Sequence, residues 1–539
     1  MPPRRDVPGV KPSTALRTGW RALAERSASV LPLYLLASGL YGIARVPLLV
    51  AGLVALWIAG ASGRLDPFVE VLRRSQRAAS GDAAGSDPFA SGTVNPDQLG
   101  PGFGDAVGNL LTPEIVALLA LGALGAAVLG IVASAVGSAV AVGGIAGLLR
   151  GGDGVRAGVD GAAAYWRSIL GVRVLFLLAL AVVVVPLGSV VAGVASAVLG
   201  AAASASGAGA APSVGGSVAA AGIAVLGALV AAVLVLVIVL LFAFAEQAVV
   251  VDDAGALAAV RRSVRFPLDR PTAFLGYVAV AFGALVVSVT VAVAGSLTGT
   301  ARLTGLVGAI ALPPIVDGYK TSVYAETALP DDPNPTPLDG RARAAFLGGL
   351  REAGAFVRDH PVANLAALAC ILAGGAIGWV ATSSFGVTLP VGSDVGGVFG
   401  GGPLGPVGTA VNLAVNNWLV AADLAYSGLA AGVPAVVSLG FNGLLVGAVG
   451  GAFDPTAFAA LVAPHGVVEV PALVVGGALG LHLGAVALGA FRGRRGADDV
   501  VDAVRLAYRV LLGLAPLFVV AGLIEAFLTP AIAALVLGG

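Results

Sequence analysis

Among the residues of this 539-residue chain, His465 and Glu469 have the types and spacing best suited to a chemical role. They stand four positions apart, beside an apolar run long enough to cross a bilayer. In a helix, their side chains would share one face about 6 Å apart. That spacing suits a metal pair or an acid and base pair. Because ionisable groups at a membrane span are costly, the pair predicts a site with a defined role.

Three neighbouring residues argue against a continuous helix through this pair. Pro464 and Gly466 favour a turn, and Pro471 fits the first turn of a helix. Glu469 would then be a carboxylate at a helix start, where the helix dipole favours it. The sequence therefore predicts a polar lock that fixes a re-entrant segment at 455–466. A transport or ligand site and hydrolytic or metal chemistry are the alternatives.

The predicted membrane spans bring further polar residues toward this pair. Glu525 is expected at the same end of the bundle, so three ionisable groups can meet at one depth. Asparagines on two neighbouring spans can hydrogen-bond with them. No residue is assigned as catalytic or as a metal ligand, and no cofactor is expected. The candidate cluster, structural or ligand-binding, is His465, Glu469, Glu525, Asn442, Asn416 and Asn417.

Composition places the chain in a membrane. It is 58% hydrophobic and 11% charged, a balance that excludes a soluble globular protein of this length. Its formal net charge is zero and it has no long run of Lys and Arg, so nucleic acid is not expected as a partner. The single cysteine, Cys370, excludes a disulfide within the chain. The common sequence motifs of hydrolases and nucleotide-binding proteins are missing.

Apolar runs of about 20 residues predict about eleven transmembrane helices in two bundles, six plus five, with cytoplasmic interfacial helices. The fold class is an all-α polytopic integral membrane protein. The first six spans lie near 31–60, 114–145, 173–199, 217–245, 272–297 and 302–325. The last five lie near 362–383, 405–426, 433–452, 467–490 and 508–529. A Pro/Asp-rich linker at 327–342 separates an N-terminal domain, 1–326, from a C-terminal domain, 343–539.

The arginines predict the orientation of these spans. The positive-inside rule places the N-terminus in the cytoplasm and the C-terminus outside. Arg45 interrupts the first span and is expected to pair with a carboxylate. The long loop 63–112 is expected outside, with a flexible tail at 78–104. Two basic amphipathic stretches form either a solvated face that sets the topology, which is the favoured interpretation, or a contact surface for lipid or a partner. Their arginines are Arg261, Arg262, Arg265, Arg341 and Arg343.

Three patches of the C-terminal part carry a family resemblance. They are N-N-W-L-V-A-A at 416–422 with F-N-G-L-L-V-G at 441–447, A-P-H-G-V-V-E-V-P-A at 463–472, and A-G-L-I-E-A-F-L-T-P at 521–530. From about residue 343 to 530 the chain resembles the stage II sporulation protein M family. In spore-forming bacteria that family is linked to a peptidoglycan-degrading machine, as a membrane component and not as the hydrolase.

The N-terminal part has a weaker resemblance. An acidic turn followed by a basic amphipathic helix, at 245–265, resembles the membrane domain attached to some glycerophosphodiester phosphodiesterases. A catalytic barrel of that kind would need about 250 residues of alternating strand and helix, which are missing here. This resemblance therefore implies an architecture and no activity.

These observations lead to three functional hypotheses. The first is a prokaryotic membrane scaffold or envelope-associated component that acts through membrane lipids or other envelope membrane proteins, without catalysis. The second is a small-solute or lipid transporter with a polar site inside the membrane. The third is an intramembrane metal-dependent hydrolase, which would require a bound metal.

Overall fold

The computed structural model describes residues 10–79, 103–205, 214–331, 338–385 and 404–537. Within these ranges the chain is α-helical and forms no β-strand. Most of the tail predicted to be flexible, and residues 332–337 of the predicted linker, lie outside the described residues. The described part of the chain is the all-α polytopic membrane protein that the sequence predicts.

The described residues before the linker region form eleven helices. They are α1 (Pro12–Glu25), α2 (Ser27–Ala61), α3 (Asp66–Ala79), α4 (Phe103–Leu110), α5 (Pro113–Leu149), α6 (Gly154–Ala205), α7 (Val214–Phe242), α8 (Ala245–Asp252), α9 (Ala256–Asp269), α10 (Pro271–Thr298) and α11 (Ala301–Ala325). Helix α3 is amphipathic and falls within the loop predicted at 63–112.

The remaining helices form the C-terminal part. They are α12 (Leu338–Asp359), α13 (Pro361–Ser383), α14 (Pro406–Ser427), α15 (Val433–Ala452), α16 (Pro455–Phe491), α17 (Ala497–Leu523), a π-helical turn (Ile524–Leu528) and α18 (Thr529–Leu537). Helix α12 is the predicted interfacial helix, and it starts within the linker predicted at 327–342. The division of the chain into domains stays a prediction.

Nine helices of the described chain are long and apolar enough to cross a membrane, compared with the eleven predicted spans. The two other predicted spans correspond to α11 and α14, which are helices of 25 and 22 residues. Both carry charged residues, Asp317 and Lys320 in α11 and Asp423 in α14, and these lower the mean hydropathy. Packing against α2 gives two of these groups partners: Asp423 pairs with Arg45, and Asp317 accepts a hydrogen bond from the Tyr34 hydroxyl. Lys320 lies 4.0 Å from Asp317 on the same helix.

Proline and capping side chains set the starts of many helices. Proline is the first residue of α5, α10, α13, α14 and α16. At that position the N–H group that proline lacks would have no partner within the helix. The Asp454 carboxylate accepts hydrogen bonds from the backbone N–H groups of Thr456 and Ala457 at 2.9 and 3.1 Å. It therefore caps α16, the helix that carries His465 and Glu469.

The helices before and after the linker share one hydrophobic core. Buried side chains of α2 and α5, among them Leu33 and Ile145, belong to the same cluster as Leu439, Leu479 and Phe518. Helix α2 packs directly against α14. The Arg45 guanidinium lies 3.1 Å from the Asp423 carboxylate, so the expectation that Arg45 pairs with a carboxylate is confirmed. The two parts are thus joined by apolar packing and by an ion pair.

Asp153, in the turn between α5 and α6, is a second polar link between the two parts. Its carboxylate accepts hydrogen bonds from the backbone N–H groups of Val155 and Arg156, at 2.9 and 3.1 Å, and pairs with Arg505 of α17. Partial burial acts in the opposite direction, but these hydrogen bonds and the Arg505 charge hold the pKa of Asp153 below its usual value. Asp153 therefore stabilises the folded state while it is ionised.

We expect Asp153→Ala to lower the free energy of unfolding at neutral pH by about 1 kcal/mol, the usual cost of losing a helix cap. Asp153→Asn should cost less, because its amide oxygen can still cap α6. Because the folded-state pKa is depressed, the contribution is present above the unfolded pKa of about 3.9 and is lost as the pH falls through the folded value. Thermal unfolding of the three proteins between neutral and acidic pH measures this; a difference between the wild type and Asp153→Asn that persists in acid would contradict it.

Candidate functional site

Helix α16 runs without a break from Pro455 to Phe491, so the prediction of a re-entrant segment at 455–466 is wrong. Pro464 and Pro471 lie inside the helix and leave the carbonyl groups of Ala460 and Val467 without their usual donors. Membrane helices tolerate such prolines because neighbouring helices and local adjustments satisfy the freed groups. As a result, His465 and Glu469 lie one turn apart on one face of a continuous helix.

The structure brings Glu525 to this pair. One ligand atom from each of His465, Glu469 and Glu525 lies within 4.8 Å of the other two. All three side chains are half-buried. The group lies far from the arginine-rich end of α16, since Glu469 and Arg492 are 23 residues apart, or roughly 35 Å along the helix. The three groups therefore meet near one end of the bundle.

A π-helical turn positions Glu525. The Thr529 N–H bonds to the Ile524 carbonyl, five residues back, which widens the helix at Ile524–Leu528. Pro530 explains the widening, because it has no N–H for the Ala526 carbonyl and its ring would clash with that group in a regular helix. The turn packs against α14 and α16. Such π-helical turns are frequent at functional sites.

Helix α14 supplies the asparagines of the candidate cluster. The Asn417 amide is within hydrogen-bonding reach of the Glu469 carboxylate, and the Asn416 amide donates to the Asn417 side-chain oxygen at 3.1 Å. The adjacent Trp418 indole N–H donates to the Leu511 carbonyl of α17 at 2.8 Å, which fixes α14 against that helix. Three elements, α14, α16 and the π-helical turn, thus surround the ionisable groups.

The other predicted residues lie elsewhere or have local partners. The Asn442 amide donates to the Ser438 carbonyl of its own helix at 2.8 Å. Arg341 donates to the carbonyl groups of Ala24 and Glu25, which ties α12 to the end of α1. Arg262 pairs with Asp252 at 2.8 Å. The remaining three arginine side chains are exposed: Arg261, Arg265 and Arg343.

The His465, Glu469 and Glu525 group contains polar atoms without hydrogen-bond partners. The Nδ1 atom of His465 and one carboxylate oxygen of Glu469, Oε2, are buried and have no hydrogen-bond partner in the described chain. A buried polar atom without a partner costs about 1–3 kcal/mol, more for a charged group. One imidazole nitrogen and two carboxylates form a ligand set suited to a divalent first-row metal ion. The arrangement can hold such an ion, or share a proton between its carboxylates.

Two other histidines form a pair that sequence reasoning missed. The ring centroids of His360, at the start of α13, and His482, in α16, lie 4.4 Å apart, and Phe356 packs against both rings. The sequence gives one signal, since both positions fall toward the arginine-rich ends of their helices. Their separation of more than 100 residues conceals the contact.

Comparison with protein families gives a match in the C-terminal part of the chain. The model of the family described as Stage II sporulation protein M matches residues 367–530. Comparison with curated proteins and with solved structures gives no match. The matched segment contains every residue of the candidate cluster and less than half of the chain. The C-terminal part of this polytopic membrane protein therefore resembles the stage II sporulation protein M family over residues 367–530.

Proposed function

We propose that the protein is a non-catalytic membrane scaffold in which a divalent cation, held by His465, Glu469 and Glu525, fastens the last helices together. The observation that carries this proposal is the meeting of three ligand atoms within 4.8 Å, two of the three groups having buried atoms without a partner. A cation would balance two carboxylates that otherwise repel each other, and it would give a partner to whichever of the buried atoms faces it.

The position of the cluster favours a structural role for this cation. Its ligands come from α16 and the π-helical turn, and Asn417 of α14 contacts Glu469. A cation in this position would connect the chain terminus to helices that belong to the core shared by both parts. This role keeps the polar lock expected from the sequence, with a continuous helix in place of the re-entrant segment.

The scaffold would act through membrane lipids or other envelope membrane proteins. The exposed arginines Arg261, Arg265 and Arg343 support contacts with acidic headgroups or partners on one membrane side. By the positive-inside rule, that side is the cytoplasm, as is the side of the N-terminus. The resemblance to a family linked to an envelope machine, as a component distinct from its hydrolase, agrees with this role.

Purified full-length protein tests the absence of catalysis. We expect no turnover of phospholipids or peptidoglycan fragments by the wild type or by Glu469→Gln, whether Mn²⁺ or Zn²⁺ is present or not. A separate readout, thermal unfolding, should show a cation-dependent increase in stability of the wild type. Hydrolysis that Glu469→Gln abolishes would contradict the scaffold and favour the intramembrane metal hydrolase.

A transporter is the second candidate, and the partial exposure of the cluster favours it. Because His465, Glu469 and Glu525 are only half-buried, a solute or cation approaching from that end of the bundle could reach them. Proteoliposomes separate the two functions. Movement of protons or Mn²⁺ across the membrane that Glu469→Gln abolishes would support transport, whereas binding without movement supports the scaffold.

A further inference from the structure

A polar crevice of about 380 Å³ lies between α2, α11 and α14, at the junction of the two parts of the chain. Its charged lining residues are Arg45, Arg302 and Asp423, and Asn416 and Ser38 add neutral polar groups. The rest of the lining is apolar or small. The crevice is separate from the His465, Glu469 and Glu525 group, which does not line it.

The charges of the crevice do not balance. Asp423 pairs with Arg45 at 3.1 Å, and the Arg45 side chain remains 69% exposed. Arg302 is exposed, and its guanidinium has no ion-pair partner in the part of the chain that the structure describes. The lining therefore contains one carboxylate and two arginines, which leaves one positive charge. A charge in the membrane is costly unless a counter-ion accompanies it.

Close contacts fix the geometry around this excess charge. A β-carbon on Gly42 would lie 2.4 Å from the Asp423 carboxylate, so only glycine leaves room for Asp423 beside α2. Asn412 of α14 accepts a hydrogen bond at 3.0 Å from the Arg302 backbone N–H, which fixes the start of α11. Close packing thus holds the elements that carry both arginines in place.

We propose that this crevice binds the phosphate group of a monoanionic ligand through Arg45 and Arg302. One negative charge makes the crevice neutral, and guanidinium groups bind phosphate oxygens through paired hydrogen bonds. The volume falls within the usual range of ligand pockets. A phosphodiester headgroup with acyl chains lying against exposed Leu48 and Val307 has the required charge and shape, and free phosphate shares the same recognition chemistry.

Native mass spectrometry of the full-length protein in a non-ionic detergent tests this proposal. The probes are dioleoyl phosphatidylglycerol, dioleoyl phosphatidylcholine and inorganic phosphate. We expect the wild type to bind phosphatidylglycerol about tenfold more tightly than phosphatidylcholine, and Arg302→Gln to lose most of that preference. Arg302→Gln is the main variant because it breaks no ion pair. Arg494→Gln, which changes an exposed arginine outside the crevice, is the matched control and should bind as the wild type does.

The three probes show whether the crevice binds a lipid headgroup or free phosphate. Tight phosphatidylglycerol binding with no effect of inorganic phosphate supports a lipid headgroup. Binding of inorganic phosphate alone that Arg302→Gln abolishes supports the same site with a free anion. Equal binding of the two lipids together with no binding of phosphate, or binding by Arg302→Gln at the wild-type level, would overturn the proposal. Thermal unfolding of each variant ensures that a loss of binding is not a loss of fold.

Discussion

Replacing Gly443 by alanine is expected to lower the free energy of unfolding by about 3 kcal/mol, the upper part of the usual range for overpacking. Helices α13 and α15 are in backbone contact, and a β-carbon on Gly443 would lie 2.0 Å from the Ile371 carbonyl oxygen. The same holds for Gly447, whose β-carbon would lie 1.9 Å from the Gly375 carbonyl oxygen. Because backbone atoms cannot move aside as a side chain can, the two helices must separate.

Gly440 provides a matched control on the same helix. A β-carbon on Gly440 would meet no atom within 4 Å. Gly440→Ala should therefore leave stability unchanged or raise it slightly, since alanine favours the helix over glycine. Thermal unfolding in detergent compares the two variants with the wild type. Equal midpoints for Gly443→Ala and Gly440→Ala would show that α13 and α15 are not in the close contact described.

Replacing Glu525 by glutamine is expected to have opposite effects with and without a divalent cation. Without the cation, two carboxylates within 4.8 Å repel each other, by roughly 3 kcal/mol at an effective dielectric constant of about 20. Removing one of these charges should leave the variant at least as stable as the wild type. With the cation at about 100 times its Kd, the wild type gains about 2.7 kcal/mol and the variant loses that gain. The order of stability should therefore reverse.

Unfolding midpoints measured in EDTA and in Mn²⁺ or Zn²⁺ reveal this reversal. Asn442→Ala is a suitable control, because the Asn442 amide bonds to its own helix at Ser438 and the variant should keep the full cation effect. A wild type that gains no stability from any divalent cation, while Glu525→Gln is more stable in all conditions, would indicate a shared proton in place of a bound cation.

The hydrophobic runs predicted the helical membrane fold because apolar length is a local property of the chain. Helix α16 packs closely against α14, since a β-carbon on Gly480 would lie 2.2 Å from the Leu424 carbonyl oxygen. Hydropathy could not predict that Asp317 of α11 and Asp423 of α14 have partners inside the protein, because those partners, Tyr34 and Arg45, lie on the distant helix α2. The helix α3 was missed because it is short and amphipathic.

The sequence predicted which ionisable residues form the site but not the conformation of the helices that carry them. The family patches pointed to His465, Glu469 and Glu525, which the structure brings together. Local rules for Pro464 and Pro471 predicted a break, but packing in the membrane keeps α16 continuous. Glu525 depends on a π-helical turn that Pro530 favours, a feature that hydrophobic periodicity does not detect. Packing thus overrode the local preference of Pro464 and Pro471 for a helix break, whereas the local preference of Pro530 determined the π-helical turn.

Metal content is the measurement that tests the central claim most directly. Full-length protein is purified in detergent, stripped with EDTA, dialysed against Mn²⁺ or Zn²⁺ and analysed for bound metal per chain. We predict one ion per chain for the wild type and for Asn442→Ala, and none for the double variant Glu469→Gln/Glu525→Gln. Wild-type protein that folds normally and retains no metal above the level of the double variant would contradict the proposed divalent cation at His465, Glu469 and Glu525.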